Sequence, residues 1–214
     1  MIKFNGILIS EEFRTMERIK KIVFAKPFCL LFLIAGFAYG LILPWCWGNN
    51  PFDALGTLSI LCEDRKFFFW IWVVLVGGAY FLNTNYAYIK YNDNSRFLRV
   101  LSVLTLIGCC AIALSLKHDV QTWNPKRIVH WIATGVYIVC VALSVFIFLV
   151  RNRKTYKGFN LLSVLTLLIV ATIPLWLFIL GKSAMMEMIP NALFQIMLFV
   201  MNFVMPVEKL SASV

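Results

Sequence analysis

Six runs of apolar residues, separated by short polar connectors, make up most of the chain. They lie at Pro27–Trp47, Phe67–Tyr88, Phe97–Leu116, Ile128–Val150, Phe159–Gly181 and Met188–Val207. A helix rises ~1.5 Å per residue, so ~20 residues cross a hydrocarbon core of ~30 Å. The pattern therefore predicts an all-α, polytopic membrane protein: a six-helix transmembrane bundle over 27–207, with an N-terminal segment 1–26 and a tail 208–214. Within the N-terminal segment, Phe13, Met16, Ile19, Ile22 and Val23 recur at helical spacing behind Ser10, Glu11 and Glu12. Arg14, Arg18 and Lys20 fall on the other side, which predicts an amphipathic helix lying on the membrane surface.

Basic residues give the bundle a direction. Of the twenty Lys and Arg, fourteen fall in the N-terminal segment, the second and fourth connectors and the tail. Lys/Arg excess marks the cytoplasmic side, so both termini are expected there. The first span lacks a small-residue cleavage site and is expected to act as an uncleaved signal anchor. The same distribution explains the net charge of +10 without nucleic acid. Contact with anionic headgroups in the cell membrane accounts for it.

Composition agrees. Hydrophobic residues are 61% and charged residues 14%, and mean hydropathy is +0.83, well outside the range of soluble domains. Of the six cysteines, Cys29, Cys109, Cys110 and Cys140 fall inside spans and read as small core residues. Cys46 and Cys62 both fall at the first connector, on the oxidising side. A disulfide between them and chance co-location remain equal alternatives.

Several local signals concern packing. Gly36 and Gly40 are four apart in the first span, and Gly77-Gly78 interrupts the second, so close helix approach is expected at both. Pro174 is expected to kink the fifth span. Leu101-Ser102-Val103-Leu104-Thr105-Leu106 recurs as Leu162-Ser163-Val164-Leu165-Thr166-Leu167. Both copies follow a basic connector, which fits repeated hairpins of one orientation as well as it fits coincidence.

Chemistry has few candidates. His130, Thr134, Tyr137 and Ser144 share one face of the fourth span, and Asn191, Gln195 and Asn202 share one face of the sixth. Such stripes avoid lipid and are expected to meet each other or a wet cavity. The two histidines, His118 and His130, fall near the external face, beside Asp119 and Trp131. Together with Asp53 these residues form the candidate ligand-binding face, rimmed by Trp45, Trp47 and Trp123. The role expected is a non-catalytic one, binding a membrane lipid or a membrane protein partner. In that reading His130 makes a hydrogen bond to the ligand, Asp53 or Asp119 orients it and Trp131 packs on it. One alternative is a metal-dependent lipid hydrolase in which His118, His130 and Asp119 hold the metal, with Asp53, Glu63 or Asp64 in support. A small-molecule transporter ranks third, because no charged residue is expected deep in a span. No motif asks for a cofactor, and none is expected.

The stretch from Pro51 to Leu149 also resembles a family of six-helix membrane proteins. The residues that carry the likeness are Pro51-Phe52-Asp53-Ala54-Leu55-Gly56-Thr57-Leu58-Ser59, Gly108, Lys117-His118-Asp119 and His130. The family is the prokaryotic one catalogued as domain of unknown function 998. It is similar in plan to the damage-regulated autophagy modulators and GPI-anchor remodelling factors. The resemblance implies a six-helix bundle with a structured first external loop near His130, and no particular activity. Lys117-His118 departs from the small-residue and proline pattern of that family after its third span.

Overall fold

The computed structural model describes residues 21–48, 50–53, 57–116 and 124–209. It is all-helical, with no strand among the described residues. Six helices are long and apolar enough to cross a membrane: Lys26–Cys46, Lys66–Lys90, Arg96–Leu114, Pro125–Asn152, Phe159–Leu180 and Ala184–Val204. They are called the first to sixth spans below. The amphipathic segment expected around Ser10 to Lys20 lies outside the described residues.

The helix boundaries follow from local chemistry. Ser95 accepts from the Leu98 amide at the start of the third span, and Asn124 from the Arg127 amide at the start of the fourth, where Pro125 fills the first turn. The fourth span is consequently longer than its apolar run, reaching Asn152. Ser183 caps the sixth span by accepting from Met186 (3.3 Å), so that helix begins at Ala184 and not at Met188. Glu187 therefore occupies the first turn of the sixth span, at its edge and not deep within it. Pro174 lies inside a fifth span that runs in one piece, as does Pro190 in the sixth.

The second span is central. Over its most apolar window 56% of residues are buried, against 17% for the fifth span. It packs on the first, third, fourth and sixth spans, while the fifth touches mainly the fourth and sixth. Lipid tails are as apolar as leucine, so the hydrophobic effect cannot drive these contacts; close approach and hydrogen bonds must. Gly36 lets the first span touch the second so closely that an added Cβ would lie 2.7 Å from the Leu75 carbonyl oxygen. Gly108 does the same for the third and fourth spans, against the backbone of Ala133 and Tyr137. Fully buried Asn83 joins three helices. Its amide donates to the Cys29 and Ala79 carbonyls (3.0 and 2.9 Å), and its own carbonyl accepts from Asn202 (2.9 Å).

One end of the bundle, the base, is closed. A π-helical turn, Val200–Val204, ends the sixth span, and Lys90 donates to the carbonyls of Met201, Asn202 and Met205 at 2.9–3.0 Å. Asp93 accepts from Ser95 and Asn152 and pairs with Arg151 (3.5 Å). Tyr91, Phe148, Tyr156 and Phe159 form a cluster of tilted and edge-on ring contacts at this end. The repeated hexapeptide buries equivalent positions in both copies: Leu101, Ser102 and Thr105 in the third span, Leu162, Ser163 and Thr166 in the fifth. Both threonines donate to the carbonyl four residues back. In the fifth span every buried residue, Phe159, Leu162, Ser163 and Thr166, lies at or before Thr166, next to the base.

Candidate functional site

The opposite end, the mouth, holds a cavity of about 340 Å³ bounded by all six spans, the third through Ile112 alone, and by the short helix Leu58–Leu61. That helix belongs to the first connector, which folds back over the bundle. The Pro51 carbonyl accepts from Met185 (3.0 Å), and the Glu187 carboxylate accepts from the Leu58 amide (3.0 Å). Glu187 thus fastens the connector to the sixth span while bordering the cavity itself.

The two polar stripes meet at the cavity floor. Tyr137 donates to the Asn191 side-chain oxygen (2.6 Å) and Tyr80 to the Asn191 backbone carbonyl (2.9 Å). The Asn191 amide in turn donates to the Glu187 backbone carbonyl (2.7 Å). Gln195 lines the cavity one turn beyond Asn191. Its Oε1 is buried with no hydrogen-bond partner, although the residue is only 2% exposed and lines the cavity. Such an orphaned acceptor costs about 1–3 kcal/mol.

The walls are apolar and the rim is charged. Phe37, Phe69, Trp72 and Phe194 present rings to the space. Leu41, Trp131, Ile138 and Leu177 line it and are also exposed on the outside of the bundle, so the cavity wall runs into the lipid-facing surface. Arg127, His130, Trp131 and Lys182 form the rim, with Lys182 Nζ 5.0 Å from the centre of the Trp131 ring, a cation–π distance.

Of the residues proposed from sequence, His130 and Trp131 border this cavity. His130 Nδ1 lies 3.3 Å from Ser115 Oγ. The Ser115 hydroxyl also lies within reach of the Ala111 carbonyl, to which it donates (2.7 Å). Asp53 is exposed, accepts from Asn50 (2.9 Å) and does not line the cavity. His118, Asp119 and Trp123 lie outside the described residues, as does the side chain of Trp47. Trp45 packs edge-on against Phe52, away from the cavity lining. Among the described residues no three His, Cys, Asp or Glu side chains are grouped to hold a metal. No disulfide joins Cys46 and Cys62: Cys46 Sγ donates to the Ile42 carbonyl (3.6 Å). Cys62 is fully buried. That burial, opposed by Arg65 and reinforced by Cys46, pushes the Cys62 thiol up to about 12.

Glu187 and Lys182 were missed as site residues, and Gln195 was placed only in a stripe. The signal for Glu187 was present. Once Ser183 is read as a helix cap, Glu187, Asn191 and Gln195 fall at i, i+4 and i+8 on one face. No family model, no curated protein and no solved structure matches this chain, so what the cavity does must be argued from its own chemistry.

Proposed function

We propose that this multi-pass protein, with both termini on the cytoplasmic side of the cell membrane, binds one amphiphilic lipid in the mouth-end cavity and catalyses no reaction on it. The observation that carries this reading is the cavity's layout: a charged rim, apolar walls continuous with the lipid-facing surface, and a polar floor with an orphaned acceptor. A volume of about 340 Å³ falls within the ~300–1,000 Å³ typical of small-molecule sites. It suits a headgroup and the upper part of one chain, with the rest of the chain leaving between Ile138 and Leu177.

Binding is favoured over catalysis because the hydroxyls at the floor are already committed. Tyr80 and Tyr137 both donate to Asn191. Ser115, the hydroxyl beside His130, is buried and does not border the cavity, so the pair reads as a tie between the third and fourth spans. Kinship with the six-helix family belongs to the same proposal. It is supported by the ordered contacts of Pro51 and Leu58 across the mouth.

The test is mass spectrometry of the protein released gently from detergent. Wild type is expected to retain one lipid per chain. Ala192→Phe, which fills the cavity from the sixth span, is expected to lose it while keeping full helical content. A wild-type protein that carries no lipid, and is stabilised by none added back, defeats the reading.

A further inference from the structure

The donors at the floor of the cavity and the charges at its border are arranged differently. Tyr80, Tyr137 and the Asn191 amide all donate within the protein. What borders the space is the Glu187 carboxylate and, two turns further along the same helix, Gln195, whose own Oε1 is buried beneath it without a partner. Glu187 accepts from the Leu58 amide, and among the described residues no cation lies within ion-pair distance of it. Glu187 is half-buried, and holding a carboxylate partly out of water without a counter-charge is costly. The basic groups of this end, Lys182 and Arg127, stand at the rim.

We infer that the occupant carries an ammonium group, which enters the cavity and pairs with Glu187, while a phosphate on the same headgroup stays at the rim with Lys182 and Arg127. This rests on the lipid-binding reading above and specifies its ligand as a zwitterionic phospholipid with an amine headgroup. The chemistry matches at each point. An ammonium supplies a positive charge that no described residue brings within ion-pair distance of Glu187. Trp72 and Phe69 line the same space, and aromatic faces attract cations, quaternary ones included. An anionic headgroup without an amine has nothing to offer the carboxylate and is repelled by it.

The experiment titrates the detergent-purified full-length chain with short-chain phosphatidylethanolamine, phosphatidylcholine and phosphatidylglycerol of one acyl composition. Binding is read from tryptophan fluorescence and from the melting temperature. The ethanolamine lipid, and the choline lipid with it, is expected to bind about tenfold tighter than the glycerol lipid, as the loss of a buried charge partner implies. Glu187→Gln keeps an acceptor for the Leu58 amide and is expected to erase that preference. Glycerol and ethanolamine lipids binding wild type equally well would overturn the ammonium inference and leave lipid binding intact. A preference that survives in Glu187→Gln would overturn the assignment to Glu187. No binding by any of the three lipids would bring down the lipid reading itself. Should Glu187→Gln fail to fold, the wild-type comparison alone decides whether an ammonium is recognised.

Discussion

At the scale of single residues, the first glycine pair separates two roles that spacing alone cannot. Gly36 and Gly40 look equivalent in the sequence. In the structure an added methyl at Gly36 meets the Leu75 carbonyl oxygen at 2.7 Å, whereas at Gly40 its nearest neighbour is a Val76 methyl at 3.8 Å. A backbone oxygen cannot swing aside, so Gly36→Ala should push the first two spans apart and cost about 1–3 kcal/mol. Gly40→Ala should be neutral. Melting temperatures of the two variants in one detergent check this, and equal effects would count against the tight contact at Gly36. Whether a small residue faces a neighbour's backbone or its flexible side chain depends on the rotation of both helices. That information is not in the motif.

At the scale of elements, the end of the sixth span depends on a residue 111 to 115 positions earlier in the chain. The π turn Val200–Val204 leaves carbonyls without intrahelical partners, and Lys90 gathers two of them, Met201 and Asn202, with the Met205 carbonyl just beyond. Lys90→Met keeps the aliphatic stem and removes the donors. A loss of about 2 kcal/mol is expected from bonds to a charged group. The measurement is thermal unfolding, with hydrogen exchange localising the loss to residues 200–205; an unchanged midpoint would show the clamp to be idle. The elements themselves were legible in the sequence because a run of ~20 apolar residues has few other solutions in a bilayer. Their ends were less so. Hydropathy drops at Lys182, but the helix resumes as soon as Ser183 can cap it, and that difference placed Glu187 outside the span when it was read by apolar content alone.

At the scale of the whole molecule, the six spans alternate, so the described base carries the second and fourth connectors and the residues after the sixth span. The excess of Lys and Arg at this end argues that it faces the cytoplasm. A reporter fused after Val214 should therefore be active only as a cytoplasmic fusion, and one inserted near Asp53 only on the far side. The reverse pattern would turn the cavity mouth toward the cytoplasm. The meeting of the two polar stripes was foreseeable from their periodicity, since neither could face lipid. The cavity was not. It arises where the first connector folds over the bundle and where the fifth span stands off from the second, and both are matters of tertiary contact.

The fifth span behaves mechanically like a beam clamped at one end. Its buried residues all sit beside the base, and from Leu167 onward the helix is held by no buried side chain of its own. Pro174 removes one hydrogen bond from this free length. Stiffness is therefore graded along the helix, and the compliant part is the one that borders the cavity through Ile173 and Leu177. A two-chained molecule needs a sideways slot more than a hole at the top. A wall clamped only at the base is the part of the bundle whose outward bending would open such a slot, with the base and its Lys90 clamp left undisturbed.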